Sequence, residues 1–291
     1  MTPTPPTVLT FAATDPSGGA GLQADILALA SIGCHPLSVV TAITVQDTVG
    51  VESVMALDAD WINEQARTIL EDVQISAFKL GLLGSLENIA VIAEIVADYP
   101  NVPLLIDPIL TSGRGDELAN DEMQAALCDL LFPQATLITP NSLEARRLAF
   151  YDEGDEIQHT SLDESAMRLL EMGVEYVLVT GTHERSTDVV NSLYGSNQSG
   201  AGGLIKAYHW ERLAGSYHGS GCTLTSAIAA CLAHGLSMEE AIQEAQEYTW
   251  QTLKNAFRPG MGQFIPDRFF WARDEDDANE SANEKIPFIQ H

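Results

Sequence analysis

Short apolar runs alternate with longer amphipathic stretches along most of this chain. The runs are rich in Val, Ile and Leu, and the alternation is typical of βαβ units around a mostly parallel sheet. This pattern predicts a single-domain α/β fold. Strands are predicted at 8–13, 37–45, 78–83, 103–109, 137–139 and 176–180, followed by an antiparallel edge pair at 189–194 and 204–210.

Polar caps mark the starts of several helices. Ser161 with Glu164, and Ser237 with Glu240, fit the capping box, and Ser85 can cap the helix that follows it. Helices are predicted at 21–32, 60–73, 85–98, 121–131, 161–172, 221–234 and 238–257. The domain should span residues 1–272. Because the composition then turns acidic and polar, residues 273–291 are predicted to form a disordered tail.

Charge and composition exclude whole classes of partner. The 14 Lys and Arg residues against 41 Asp and Glu give a net charge of −27, which repels nucleic acid. Neither a run of eighteen apolar residues nor a signal-peptide pattern is present, so a cytoplasmic protein without a membrane partner is predicted. Four scattered cysteines suit neither a disulfide scaffold nor a zinc site. A phosphate site would have to be local, built from backbone amides and a divalent cation.

A glycine-rich segment, HGSGCT at 218–223, runs straight into an apolar stretch. Glycines let the backbone approach a ligand, and the free N–H groups and dipole of a helix start can hold a phosphoryl group. The same positive field predicts a lowered pKa for the Cys222 thiol, which would then serve as a base or hydrogen-bond partner. The alternative is a small-residue helix start in which Cys222 only packs.

Six segments together resemble those of the hydroxymethylpyrimidine and phosphomethylpyrimidine kinases, within the ribokinase-like superfamily. They are TDPSGGAG at 14–21 with Asp25 beyond it, VQDT at 45–48, KLGLL at 79–83, DPIL at 107–110, TPN at 139–141 with Glu144, and GSGC at 219–222. The resemblance implies a three-layer α/β/α sandwich. It also implies ATP-dependent phosphorylation of 4-amino-5-hydroxymethyl-2-methylpyrimidine and of its monophosphate in thiamine biosynthesis or salvage, with Mg²⁺ as cofactor and a homodimer as the assembly.

The resemblance assigns roles to individual positions. The catalytic residues would be Gly219, Ser220, Gly221 and Cys222, with the cysteine standing where the wider superfamily has aspartate. The substrate-binding residues would be Ala13, Asp25, Thr44, Gln46 and Gly81. The nucleotide-binding residues would be Asn141, Thr180, Gly181, Gly219 and Gly221. Asp107 and Glu144 would organise Mg²⁺, although Asn141 with Glu144 also fits an ordinary helix cap.

Three positions depart from the pattern of the family. Ala13 stands where glycine is common, and Asp47 replaces an asparagine near the expected substrate. Thr180 stands where many relatives have a lysine that contacts phosphate, and its hydroxyl can supply only a weaker, neutral hydrogen bond. The missing charge would come from the metal, from an arginine or not at all. Arg114 is the candidate substitute.

Three other functions stay open on the sequence. The first is a pyridoxal or pyridoxine kinase of the same superfamily, because the pyridine substrate is similar in size and donor pattern. The second is a catalytically weak protein that binds the pyrimidine, a possibility raised by Thr180. The third is an enzyme that uses Cys222 as a nucleophile, for which no histidine is clearly assigned. Gln46 and the TDPSGGAG segment favour a pyrimidine.

Overall fold

A nine-stranded sheet forms the centre of the computed structural model, which describes residues 4–151, 160–184, 187–196 and 202–273. The strands are β1 (Thr7–Thr14), β2 (His35–Gln46), β3 (Val51–Ala56), β4 (Ala77–Leu80), β5 (Leu104–Ile106), β6 (Leu137–Ile138), β7 (Tyr176–Val179), β8 (Asp188–Ser196) and β9 (Gly202–Glu211). Their order is β3-β2-β1-β4-β5-β6-β7-β8-β9. The six central strands, β2-β1-β4-β5-β6-β7, pair in parallel. At the two edges of the sheet, β3, β8 and β9 are antiparallel additions.

Helices cover both faces of this sheet. They are α1 (Gly21–Ser31), α2 (Ala59–Asp72), α3 (Leu86–Ala97), α4 (Asp121–Ala126), α5 (Ser142–Ala149), α6 (Leu162–Glu171), α7 (Ser220–Ala233) and α8 (Met238–Lys254). One hydrophobic core joins the sheet to α2–α6, and a second joins it to α1, α7 and α8. Because β1 is covered on both sides, seven of its eight residues are buried without alternation. The predicted α/β class and three-layer sandwich are confirmed.

Helix caps follow the sequence closely. The Ser85 side chain accepts from the N–H of Asn88, and Ser161 accepts from that of Glu164. Ser237 forms the predicted capping box with Glu240. No helix among the described residues is both long and apolar enough to span a membrane.

Several predicted boundaries were wrong for local reasons. The β3 strand was missed because it is a largely exposed edge strand, which carries little hydrophobic pattern. The last helix ends three residues early, since Phe257 pairs with Ile265 instead. The predicted strands 78–83 and 103–109 each run three residues too far, because the chain leaves the sheet there. Apart from Arg273, the acidic tail lies outside the described residues, and its disorder and the domain boundary stay predictions.

Parallel strands bring their carboxyl ends to one edge of the sheet, where open α/β proteins bind ligands. The segments that follow β1, β5, β6 and β7 all begin there. The start of α7 lies at the same edge, because its N-cap residue Gly219 packs against Gly19 in the loop after β1. Segments far apart in sequence therefore meet in one place.

Candidate active site

A cavity of about 840 Å³ opens at the carboxyl edge of the sheet. Most of the residues singled out in the sequence line it together: Ala13, Thr44, Gln46, Asp107, Asn141, Glu144, Thr180, Gly219, Ser220, Gly221 and Cys222. Asp25, Gly81 and Gly181 are not among its lining residues. The structure thus joins the predicted substrate, metal and nucleotide segments into one site.

The N-terminus of α7 forms an open anion-binding surface in this cavity. Gly219 is the N-cap residue, with φ 82° and no side-chain cap bond, so the first-turn amides stay available to a ligand. A Cβ on Gly219 would overlap the carbonyl oxygen of Gly19. Only glycine therefore fits where the two glycine-rich loops meet.

The Cys222 thiol lies in the first turn of α7 and is almost fully buried, with 5% exposure. Burial raises its pKa to about 12, although the nearby Lys79 ammonium opposes this shift. The sequence-based expectation of a lowered thiol pKa was wrong, because desolvation outweighs the field at the helix start. The Asp107 carboxylate lies beside the thiol, and the interaction with Cys222 lowers the Asp107 pKa in opposition to burial. Cys222 and Asp107 are therefore electrostatically coupled.

Two buried carboxyl groups lie on the same wall of the cavity. Burial raises the pKa of Asp107 to about 6. Burial, with the added repulsion of Asp107, raises the pKa of Glu144 to about 8. A divalent cation bound between two such carboxyl groups would stabilise their ionised forms, because it offsets the repulsion between the two negative charges.

Asn141 and Glu144 also form the helix cap that was weighed as the alternative. The Asn141 Oδ1 atom accepts from the N–H groups of Leu143 and Glu144, at 2.9 and 3.0 Å. In return, the Asn141 N–H donates to Glu144 Oε2 at 2.9 Å. The capping box at α5 is confirmed, and it fixes the Glu144 side chain at the cavity wall.

At the opposite end, Gln46 lies on a chain of hydrogen bonds that begins at the backbone. Thr44 Oγ1 donates to the carbonyl of Thr14 at 2.7 Å, and Gln46 Nε2 donates to Thr44 Oγ1 at 2.8 Å. Ala13 is buried in the adjoining wall. This arrangement fixes a carboxamide, which both donates and accepts, at the surface of the cavity.

The structure does not place Asp25 at the cavity, contrary to the sequence-based prediction. Its fully buried carboxylate accepts from Thr10 Oγ1 at 2.7 Å and from Ser226 Oγ at 2.8 Å. Both of its oxygens also accept from the Lys79 ammonium, at 2.8 and 2.9 Å. The carboxylate is satisfied inside the protein, so Asp25 supports the site from behind and does not bind the ligand.

Two predicted glycines also turn out to be packing positions. A Cβ on Gly81 would lie 3.0 Å from the Lys79 Nζ atom, so Gly81 makes room for the buried ion pair. The N–H of Gly181 donates to Asn191 Oδ1 at 3.0 Å, and a Cβ there would overlap the backbone of Val190. Neither glycine lines the main cavity.

The cavity is lined by Arg212 and not by Arg114. Thr180 lines the cavity at the end of β7. Arg114 does not reach the cavity: it is exposed, and its Nε atom donates to Asp116 at 3.1 Å. That suggestion was wrong because a carboxylate two residues away holds the guanidinium at the surface. Arg212, which the sequence gave no reason to select, does line the cavity and donates to the carbonyls of Thr182 and Glu184, at 2.9 Å each.

An aromatic wall lies at the same end of the cavity as Arg212. The rings of Trp210 and Trp250 are 6.5 Å apart and both line the cavity. Beneath them, the Gln246 carboxamide accepts from Trp210 Nε1 at 3.0 Å and from Asn191 Nδ2 at 2.7 Å. Sequence reasoning missed this wall because β9 and α8 contribute one tryptophan each. A flat apolar surface of this kind suits a nucleobase.

The loop after β1 is joined to the start of α7 by a histidine. The Nε2 atom of His218 lies 2.9 Å from Asp15 Oδ2. Burial alone would raise the pKa of Asp15, but bonds from His218, the Ala20 N–H and Ser17 outweigh it and lower the pKa. Asp15 therefore organises the turn, and His218 ties that turn to the anion-binding surface.

Solved structures show the class to which this fold belongs. The chain superposes on the pyridoxal kinase of Bacillus subtilis, solved as an ADP complex, with a TM-score of 0.82, 28% identity, and coverage of 93% of this chain and 100% of that one. It superposes on the phosphomethylpyrimidine kinase of Clostridium difficile with a TM-score of 0.71, 33% identity, and coverage of 85% and 99%. The fold is that of the ribokinase-like small-molecule kinases.

Sequence comparison narrows this class to one family. The family model for phosphomethylpyrimidine kinase matches residues 15–267. A hydroxymethylpyrimidine/phosphomethylpyrimidine kinase of Mycobacterium leprae is 36% identical over 262 residues, which cover 89% of this chain and 92% of the relative. The chain belongs to the phosphomethylpyrimidine kinase family, and the resemblance seen in the sequence is confirmed.

Proposed function

We propose that this protein transfers the γ-phosphoryl group of ATP to the hydroxymethyl oxygen of 4-amino-5-hydroxymethyl-2-methylpyrimidine, and then phosphorylates the monophosphate. The observation that carries the proposal is one cavity lined by Gln46, Trp250 and the open start of α7. Gln46 ends β2 and Trp250 packs beside Trp210 of β9, near opposite edges of the sheet, and α7 packs on the strands between them. The names of the relatives agree with it. A role in thiamine supply, a cytoplasmic location and a homodimer belong to the same proposal.

In this proposal different residues of the cavity bind the pyrimidine, the adenine and the γ-phosphoryl group. The Gln46 carboxamide pairs with the ring nitrogen and amino group of the pyrimidine. The aromatic wall holds adenine, and the amides of Gly219 to Cys222 receive the γ-phosphoryl group. The hydroxymethyl oxygen forms a bond to phosphorus while the bond to the bridging oxygen of ADP breaks. The hydroxyl proton passes to the Cys222–Asp107 pair.

Asp107 and Glu144 would hold Mg²⁺ in this scheme. In the described part of the chain no cluster of three or more His, Cys, Asp or Glu side chains could enclose a metal. Two carboxylates with water and phosphate oxygens completing the shell suit Mg²⁺, which keeps much of its water. The cation would offset the charge of the phosphate groups. The raised pKa of each carboxyl group fits a site that is completed by a cation.

Binding of Mg²⁺ is expected to tighten as pH rises from about 6.5 to about 8.5. The Glu144 carboxyl, with a pKa of about 8 in the free protein, holds its proton at neutral pH, and a bound cation must displace that proton. Each pH unit below the pKa should weaken binding by up to about tenfold. Titrating Mg²⁺ at several pH values measures the effect. Glu144→Gln should remove the pH dependence, and an unchanged half-saturation concentration in the natural protein would contradict the assignment.

Replacing Gln46 by alanine is expected to raise KM for the pyrimidine about tenfold or more while KM for ATP stays within about twofold. The loss corresponds to one or two hydrogen bonds to the ligand, at one end of the cavity only. Steady-state kinetics with each substrate varied in turn provide the measurement. Gln134→Ala is the matched control, because Gln134 bonds backbone carbonyls outside the cavity. Equal rises in both KM values would show that Gln46 is structural.

The direct test of the proposed function is phosphoryl transfer by the purified protein. ATP consumption is measured with the pyrimidine, with its monophosphate and with pyridoxal, each with and without Mg²⁺. Turnover that requires the pyrimidine and Mg²⁺ supports the proposal. The second candidate is a pyridoxal kinase, favoured by the TM-score of 0.82 to the Bacillus subtilis enzyme. Higher kcat/KM with pyridoxal would select it, and binding without turnover would indicate a pyrimidine-binding protein.

A further inference from the structure

Two buried cations lie beside the first turns of α7. Among the described Lys and Arg residues, only Lys79 and Arg268 are buried, with 0% and 3% exposure. The Lys79 ammonium is neutralised by the Asp25 carboxylate at 2.8 Å. Arg268 has no such partner: no ion pair between described residues includes it.

The Arg268 guanidinium bonds only neutral oxygens. Its Nε atom donates to Thr223 Oγ1 at 3.0 Å, and its Nη atoms donate to the carbonyls of Gly18 and Gly19. These bonds engage all three guanidinium nitrogens but supply no counter-charge, and the Asp25 and Asp15 carboxylates act on Arg268 only from beyond ion-pair distance. A buried charge without a directly paired counter-ion is costly, and a ligand of opposite charge nearby offsets that cost.

The groups that Arg268 holds form the back of the anion-binding surface. Gly19 packs its carbonyl against Gly219, the N-cap residue of α7. The hydroxyl of Thr223, which receives the Arg268 bond, itself donates to the Gly219 carbonyl at 2.8 Å. The guanidinium thus lies one layer behind the open amides. At that depth its field is weakly screened and adds to the dipole of α7.

We propose that Arg268 supplies the fixed positive charge that attracts and positions the transferring phosphoryl group at the start of α7. The inference rests on the proposed kinase activity. Arg268 is a positioning residue, since it acts through the glycine loops and does not line the cavity. Thr180 stands where many relatives have a phosphate-contacting lysine, and Arg268 would supply the missing positive charge. This cation lies behind the phosphate subsite, on a segment remote in sequence.

Two substitutions separate the effect of the Arg268 charge from that of its hydrogen bonds to the glycine loop. Arg268→Gln keeps a donor for the glycine carbonyls and removes the charge, whereas Arg268→Lys keeps the charge and loses the fork of donors. Arg67→Gln is the matched control, because Arg67 pairs with Asp98 on the outer surface. We expect kcat to fall about tenfold or more in Arg268→Gln, with KM for the pyrimidine within about twofold. Arg268→Lys should stay within about threefold of the natural protein, and Arg67→Gln should be unchanged.

Two outcomes would overturn the proposal: kcat of Arg268→Gln within twofold of the natural protein, or a loss in Arg268→Lys as large as in Arg268→Gln. If the glutamine variant does not fold in a thermal melt, the lysine variant decides alone, since a tenfold loss there overturns the proposal. Affinity for a non-hydrolysable ATP analogue gives a readout that does not need the pyrimidine. It should weaken in Arg268→Gln but not in Arg268→Lys. Absent pyrimidine turnover in the natural protein would instead reject the proposed function.

A second cation on the cavity wall provides a rescue test. Thr180→Lys places an ammonium at the end of β7, where Thr180 already lines the cavity. If both charges act on the same phosphoryl group, the gain in kcat from Thr180→Lys should be larger in the Arg268→Gln background than in the natural one. A purely structural role for Arg268 would not produce this coupling. Equal gains in the two backgrounds would contradict the proposal.

Discussion

Replacing Cys222 by alanine is expected to lower kcat by about 10²–10⁴-fold and to leave KM for both substrates within about threefold. The thiol lines the cavity in the first turn of α7 and lies beside Asp107, so it can take part in moving the hydroxyl proton. Alanine keeps the helix start and removes only this group. A loss confined to kcat is the signature of an interaction made in the transition state.

Cys231→Ala is the control for this prediction. Cys231 is also buried in α7, but it does not line the cavity, so its replacement should leave kcat unchanged. Cys222→Asp should retain partial activity, because a carboxylate can accept the same proton. Near-natural turnover in Cys222→Ala would reduce Cys222 to a packing residue. Steady-state kinetics on the three variants decide between these roles.

Gly219→Ala should abolish phosphoryl transfer, with kcat reduced by about 10³-fold or more. The new Cβ would overlap the Gly19 carbonyl oxygen, so one of the two glycine loops must move. The φ of 82° adds strain, since residues with a side chain rarely adopt it. Displaced amides no longer point at the position of the phosphoryl group.

Gly235→Ala separates the strain from the overlap. Gly235, just beyond the end of α7, has a φ of 88°, and nothing lies within 4 Å of the position of its Cβ. Its replacement should cost about 1–2 kcal/mol of stability and leave kcat unchanged. Thermal melts and kinetics on both variants provide the comparison. Equal effects of the two substitutions on kcat would show that the close approach at Gly219 has no catalytic importance.

Local patterns were sufficient for most of the secondary structure and for the segments of the site, although the predicted strands lack β3 and the predicted helices lack α5. The apolar runs predicted eight of the nine strands, and the polar caps predicted the starts of α3, α6 and α8. The HGSGCT segment predicted an open helix start, because glycine flexibility and free first-turn amides depend on only a few neighbouring residues. These features follow from interactions within about one turn of the chain.

Burial and long-range pairing contradicted the sequence-based predictions for two ionisable groups, Cys222 and Asp25. The helix dipole suggested a reactive thiol at Cys222, but desolvation in the folded protein raises its pKa to about 12. Asp25 was expected to face the ligand, but it pairs with Lys79, 54 residues away. The free energy of an ionised group depends on everything that surrounds it, and those surroundings come from distant segments.

By itself, the sequence determined the α/β class, the family and the segments that build the cavity. Only the tertiary structure decided which charged groups face the ligand and which lie behind it. Arg268 is the clearest case, because its guanidinium bonds the carbonyl of Gly19 across a separation of 249 residues. No local pattern marks such a contact. It exists because the sheet brings the loop after β1, the start of α7 and the segment after α8 to one edge. Burial at that edge then determines how strongly each charged group interacts with its surroundings.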